Sequence, residues 1–294
     1  MSVDTPRPGD KTALFWAAKS DGTVVCQLCP HGCVLRSGQT GLCRVRTNRG
    51  GTLIADAYAK VTSIALDPIE KKPLSRYYPG HTILSVGSYG CNFRCAFCQN
   101  WSISQQEAAW RLIDPDTLAD LARREQVHGN IGVAYTYNEP LVNYEYVLDC
   151  ARQVRRLNLK NVLVTNGSIN PEPLAGLLPI IDALNIDLKA WDPRFYRETC
   201  RGELAPVLET IRMAAACSHV ELTTLLIPGQ NDSEEAIQAM ADWIAALDPA
   251  IVWHLSRHHP DYQMADPPPI SPERMQKLAQ MARRQLKHVV LGNI

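Results

Sequence analysis

Three cysteines, Cys91, Cys95 and Cys98, fall within eight residues of one another. Thiolates at that density can wrap one small inorganic group without help from elsewhere. Iron–sulfur cubanes are held by Cys thiolates and usually take four. A set of three therefore leaves one iron without a protein ligand, and an open coordination position is what a reactive metal centre needs. Structural zinc is the competing reading, but it wants four closed ligands, and no fourth lies close by in the chain. A second set, Cys26, Cys29, Cys33 and Cys43, brings four thiolates within eighteen residues. Four ligands suit closed structural zinc or an iron–sulfur cluster equally, and either metal would fold the segment that carries them. His31 can replace one of these cysteines, although Pro30-His31-Gly32 also reads as a plain turn. The last three cysteines stand alone. Cys150 and Cys217 sit in helical, apolar stretches and read as small buried hydrophobes. Cys200 lies in Arg197-Glu198-Thr199-Cys200-Arg201-Gly202 and reads as a surface residue, with catalysis as the minor alternative because a charged setting can lower a thiol pKa.

The rest of the composition narrows the class. The chain has 294 residues with 30 Lys+Arg against 30 Asp+Glu. That balance argues against a protein that coats nucleic acid or an anionic membrane. No apolar stretch approaches the ~18 residues of a membrane span. The run Ala13–Ala18 is too short for the apolar centre of a leader. Clustered cysteines in a chain of this length point to metal or redox chemistry rather than a disulfide framework. The expectation is a cytoplasmic protein.

Something must position the cysteines, and from residue 82 onward the pattern is repetitive. Strand-like runs at 82–87, 131–136, 161–165, 182–188, 219–227 and 250–255 alternate with helical ones. Asp114-Pro115 and Ser271-Pro272 are N-cap and first-turn pairs. After Ser233, Ile237, Met240, Ala241, Ile244 and Leu247 follow helical spacing and bury one face. Six such alternations imply an α/β fold with parallel pairing, because parallel strands need crossover connections. A doubly wound sheet and an open barrel both fit the periodicity. Ahead of this region, residues 1–50 read as a tail followed by the Cys-rich module, with the first 22 residues loose or at an edge. Residues 51–81 read as a short β connection with strands at 52–57 and 61–66, leaving 82–294 as the main domain.

In parallel α/β folds chemistry gathers at the C-terminal strand ends. Here those ends are polar. The first runs into the Cys91 loop and the second into Tyr137-Asn138-Glu139-Pro140. The third gives Thr165-Asn166-Gly167 and the fourth Asp187-Leu188-Lys189. The fifth passes through Glu221 to Pro228-Gly229, and the sixth carries Trp253-His254. Each motif alone is weak, but six in register would face one mouth.

Cys91-x3-Cys95-x2-Cys98, with Phe97 before the last cysteine, resembles the signature of radical S-adenosylmethionine (SAM) enzymes. The likeness continues through Gln99-Asn100-Trp101, Thr136-Tyr137-Asn138-Glu139-Pro140, Asp187-Leu188-Lys189, Leu225-Leu226-Ile227-Pro228-Gly229 and Trp253-His254-Leu255-Ser256-Arg257. Together with Cys26-x2-Cys29-Pro30-His31-x-Cys33 and Cys43, these resemble the AmmeMemoRadiSam-system branch, which is similar to the pyruvate formate-lyase activating enzyme. The resemblance implies a partial (β/α)6 barrel, a [4Fe-4S] cluster on Cys91, Cys95 and Cys98, and SAM as the second cofactor. It implies SAM contacts from Phe97, Asn138, Glu139, Thr165, Asn166, Asp187, Lys189 and His254. Glu139 and Asn138 would meet the amine, Lys189 the carboxylate, and His254 would flank adenine. It also implies a second metal at the N-terminal quartet, zinc or an auxiliary iron–sulfur cluster.

The expected activity is reductive cleavage of SAM to a 5′-deoxyadenosyl radical that takes hydrogen from a small-molecule or protein substrate. An external one-electron donor such as flavodoxin or ferredoxin would be required. A glycyl-radical-enzyme activase is the nearest rival, and a non-catalytic iron–sulfur electron carrier a third reading from another class. Polar groups at six strand ends speak against the carrier. No membrane or nucleic-acid partner is expected, since Arg44–Arg49 and Arg283-Arg284 lack interleaved aromatic residues.

Overall fold

The computed structural model describes residues 5–7, 9–106 and 108–294. Six strands, Thr82–Gly87, Asn130–Tyr135, Lys160–Thr165, Ala183–Asp187, His219–Leu226 and Val252–Arg257, lie where the alternation puts them. Each pairs in parallel with its sequence neighbour. A seventh parallel strand outside the expected set, Val289–Gly292, adds to the sixth. At the opposite edge Ser63–Pro68 runs antiparallel to the first strand. The sequence grammar explains the pairing. Ile83, Val86, Val133, Ala134, Val162, Leu163, Leu184, Ile186 and Leu222 are all buried, the near-continuous apolar run of strands covered on both faces.

Helices fill the crossovers, and three of them start at the caps read from sequence. Asp114 accepts from the Thr117 amide, Ser233 from Ala236 and Ser271 from Arg274, each satisfying an orphan donor of the first turn. Helix Glu234–Leu247 buries Ile237, Met240, Ala241 and Ile244. The result is a partial barrel of six β/α units with one added strand at each edge.

Residues 73–76 are tied to the N-terminal halves of the fourth and fifth strands. Asn185 Nδ2 donates to the Pro73 carbonyl, and the Ser75 and Arg76 amides donate to Glu221 at 2.9 and 2.8 Å. His254 Nε2 meets the same carboxylate at 2.5 Å.

Within the first 22 residues Trp16–Ala18 forms an edge strand, the second of the two expectations for this segment, and residues 1–4 fall outside the described residues. Trp16–Ala18, Val24–Cys26 and Val34–Leu35 form a three-stranded antiparallel sheet, and Arg46–Arg49 forms a hairpin with Thr52–Ala55. A buried ion pair fastens it to the barrel. Arg46 and Glu145 meet at 3.0 Å with both side chains 1% exposed, and Glu145 also accepts the Leu14 amide. Of the isolated cysteines, Cys150 is buried as expected. Cys217 is exposed, because it follows the end of helix Leu204–Ala215 on its open side. Cys200 is fully buried rather than at the surface, since its loop folds back on the Cys91–Cys98 segment: the Arg94 amide donates to the Cys200 carbonyl.

Candidate active site

The loop after the first strand is shaped by two glycines. A Cβ on Gly87 would stand 2.8 Å from the Tyr137 ring, and one on Gly90 2.5 Å from the Cys43 carbonyl oxygen. Gly90 also needs φ +87°, a conformation open to glycine at little cost. Past this turn, Cys91, Cys95 and Cys98 line one cleft with Glu139, Thr165, Asn166, Asp187 and Lys189. Phe97 and Asn138 line it too. With the part open to solvent counted, the cleft holds about 1110 Å³ of space.

Burial pushes the Cys91 and Cys98 thiols up. A hydrogen bond with Cys200, together with burial, does the same for Cys95. Metal-free, the three are neutral, so loading a metal releases their protons. Ser104 Oγ lies 3.1 Å from Cys98 Sγ, and Asn166 Nδ2 points at Cys91 Sγ from 3.6 Å. The donor set suits iron: soft thiolates, three in number, with neighbouring donors for the sulfurs.

Glu139 is the buried carboxylate of the site. Thr165 Oγ1 donates to it at 2.7 Å, the Asn166 amide at 2.7 Å and the Leu141 amide at 3.0 Å. Burial outweighs these donors and lifts its carboxyl to about 7. Lys189 Nζ meets Asp187 at 2.7 Å and stands 5.7 Å from the Phe97 ring. Burial opposes its charge, but Asp187 overcomes that and raises it well above the ordinary lysine value. The cleft thus has a carboxyl at Glu139 that ionises near neutrality and a cationic post at Lys189.

Two residues take other roles than the sequence reading gives them. Asn138 lines the cleft, but its amide is spent on the backbone. It accepts from Ser88 N and donates to the Tyr89, Gly90 and Glu139 carbonyls. It holds the loop that carries Cys91 and leaves no hydrogen free for a ligand. His254 does not line the cleft, because it sits on the N-terminal half of its strand, paired to Glu221. Lining residues that sequence reasoning did not single out as contacts include Ser104, Thr223, Ser256 and Asn293. Strand parity places Ser256 two residues past His254, and Asn293 needs the unanticipated seventh strand.

The loop after the sixth strand closes one flank. Tyr262 stacks on Trp101 with centroids 5.3 Å apart and planes 13° from parallel, and the Gln263 amide donates to the Ala96 carbonyl. On the other flank, Cys26, Cys29, Cys33 and Cys43 line a separate, smaller cavity with His31, Arg46, Asn92 and Val142. Neither the quartet nor the Cys91 trio is arranged around a single-ion position: among the described residues no three His, Cys, Asp or Glu side chains are.

A parallel partial barrel with three cysteines on its first loop defines a class, and the chain belongs to it: residues 85–243 match the Radical SAM superfamily. It is a radical SAM enzyme, of the kind that cleaves SAM reductively at a [4Fe-4S] cluster to a 5′-deoxyadenosyl radical, which then takes hydrogen from substrate. Such enzymes draw their electron from an external donor. An uncharacterized protein of Methanocaldococcus jannaschii is 39% identical over 290 residues, covering 97% of this chain and 85% of that one. A GTP 3',8-cyclase of Limosilactobacillus fermentum is 30% identical over 150 residues, covering 49% of this chain and 45% of the cyclase. The fold is similar to that of Streptococcus suis SuiB bound to S-adenosylmethionine, with TM-score 0.54 and 13% identity over 70% of this chain and 48% of that one. No helix among the described residues is long and apolar enough to cross a membrane.

Proposed function

We propose that Cys91, Cys95 and Cys98 hold the cluster and that the cleft beyond them takes SAM. The observation that carries this reading is that the three thiols, the buried carboxylate of Glu139 and the Asp187–Lys189 pair line one cleft. Glu139 suits a cationic amine, and charge-assisted hydrogen bonds of that kind are strong. Thr165 and the Asn166 amide fix the direction of its oxygens, while Lys189 suits a carboxylate. Phe97 turns its ring toward the Lys189 ammonium. Asn138 acts through the backbone it braces.

The order of the motifs supports a place in the AmmeMemoRadiSam-system branch, with the substrate open. In this reading residues 1–50 carry a metal-binding module at the Cys26 quartet, holding zinc or an auxiliary iron–sulfur cluster, residues 51–81 connect, and 82–294 carry the chemistry. A flavodoxin or ferredoxin supplies the electron. A glycyl-radical-enzyme activase is the second reading. It is favoured by one observation: no described residue before Cys91 lines the cleft, so the N-terminal module leaves the mouth open to a bulky partner.

The test is anaerobic. Reconstituted protein with dithionite and SAM releases 5′-deoxyadenosine, and Cys95→Ala abolishes it. Wild-type protein with an intact, reduced cluster and no product would overturn the assignment.

A further inference from the structure

The Cys26 quartet lies directly behind the reactive loop. Cys91 has one chain neighbour, Gly90, packed so closely on the Cys43 carbonyl that only a hydrogen fits between them. Its other neighbour, Asn92, lines the quartet's cavity. The Asn92 carbonyl is 2.7 Å from His31 Nε2, and its side-chain amide carbonyl accepts from Asn166, the residue that points at Cys91 Sγ. The tripeptide Gly90-Cys91-Asn92 is therefore a wall common to both cysteine sites. On its outer side the quartet reaches the surface. Cys29 and Cys33 are partly exposed, and Leu42 and Val34 are 41% and 57% exposed.

Three further observations point to what the quartet holds. Its first three cysteines are spaced Cys26-x2-Cys29-x3-Cys33, the reverse of Cys91-x3-Cys95-x2-Cys98, so both segments offer three thiolates in eight residues. Its four side chains line one cavity, so all four thiolates can serve one group. Finally, Arg46 borders the cavity almost wholly buried, and its Nε has no hydrogen-bond partner among the described residues. An unpaired buried donor on a guanidinium is costly unless it faces an anion, and a thiolate-bound iron–sulfur cluster is one.

We propose that Cys26, Cys29, Cys33 and Cys43 hold a polynuclear iron–sulfur cluster, with Arg46 balancing its charge, and that this cluster is where the electron enters the protein. This rests on the reading of Cys91, Cys95 and Cys98 as the reactive site. The step transfers one electron: a low-potential protein donor of the ferredoxin or flavodoxin type is oxidised by one electron and the quartet's cluster reduced by one. That electron then crosses the shared wall, which returns the quartet's cluster to its starting state and leaves the reactive site reduced by one. No proton or bond changes hands.

The experiment uses full-length protein reconstituted with iron and sulfide, assayed for metal content and by electron paramagnetic resonance. The variant Cys91→Ala/Cys95→Ala/Cys98→Ala should keep about half the wild-type iron and sulfide, carry no zinc, and show a reducible signal insensitive to SAM. Zinc in that variant, or loss of all iron while the fold persists by circular dichroism, overturns the cluster. For the relay, Cys33→Ala should lower the ratio of donor-driven to dithionite-driven 5′-deoxyadenosine formation at least tenfold. An unchanged ratio overturns it. If Cys33→Ala fails to fold, freeze-quenched wild type decides. With substoichiometric donor, the SAM-insensitive signal should appear before product, and product formed while that signal stays silent overturns the relay. Failure of the reactive-site reading is separate: wild type would then give no product even with dithionite.

Discussion

Cys200, wholly buried at the end of the Tyr196–Cys200 π-turn, stands beside Cys95 and helps to push its thiol up. π-helical turns are rare, and those that occur are frequently at functional sites. Gly202 keeps the loop in place, since a Cβ there would stand 2.1 Å from the Phe93 ring.

Hydrogen bonds to the sulfurs are one of the ways a protein sets a cluster's reduction potential. With Cys95 on iron, a thiol at Cys200 would be placed to donate to its sulfur. Cys200→Ala should therefore retain the cluster but move its potential to more negative values, and Cys200→Ser should recover part of the difference. Spectroelectrochemical titration reads this directly. Equal potentials in all three proteins would leave Cys200 as packing alone.

Glu139 should make SAM binding depend on pH. Its carboxyl stands at about 7 because burial outweighs the donors around it. Only the ionised form pairs with a cationic amine, so affinity is full above that value and weakens as pH falls through it. Apparent affinity scales with the competent fraction, which predicts a loss of roughly tenfold between about pH 8 and pH 6. Equilibrium dialysis with labelled SAM measures it. Glu139→Gln should bind weakly at both values with no slope, and a sloping profile in that variant would reassign the titration.

Glu221 and His254 should matter for stability and not for SAM. Burial by itself would raise Glu221, but hydrogen bonds from His219, His254 and the Ser75 and Arg76 amides hold its carboxyl at about 2. A carboxylate depressed from 4.5 gives stability that is present above 4.5 and lost as pH falls toward 2. The linkage is worth roughly 3 kcal/mol. Urea unfolding in that acid window should show wild type losing stability faster than Glu221→Gln. His254→Ala should lower the midpoint while leaving SAM affinity within about twofold. A large loss of affinity would restore His254 to the binding site.

Arg46 and Glu145 join the N-terminal module to the barrel through a fully buried pair. Removing one partner strands the other charge, so Glu145→Gln should destabilise by ~3–5 kcal/mol, and Arg46→Met/Glu145→Leu by much less. A double-mutant cycle by denaturant unfolding checks the sign. Additive losses would mean that the two charges act independently.

Much of this architecture was legible because the relevant signals are local. Asp114-Pro115 and Ser271-Pro272 announce helix starts through bonds spanning three residues. The polar ends of the second, third and fourth strands announce the mouth. What escaped depends on partners distant in sequence. Cys200 reads as a charged surface site because Arg197 and Arg201 flank it, yet the fold buries it against Cys95, 105 positions earlier. Asn138 and Glu139 are adjacent and polar, and only the structure separates a residue that braces backbone from one that faces the cleft. Val289–Gly292 is a four-residue strand at the sheet's edge, too short for periodicity to single out.

The Trp101–Tyr262 stack and the Gln263–Ala96 hydrogen bond fasten the cysteine loop to a segment made some 160 residues later in the chain. Contacts this far apart form late. During synthesis the three thiols thus emerge long before the loop that will flank them. A nascent chain that captured iron early would hold it open to oxygen. The order of assembly therefore favours metal delivery after the segment that carries Tyr262 and Gln263 has docked on the cysteine loop.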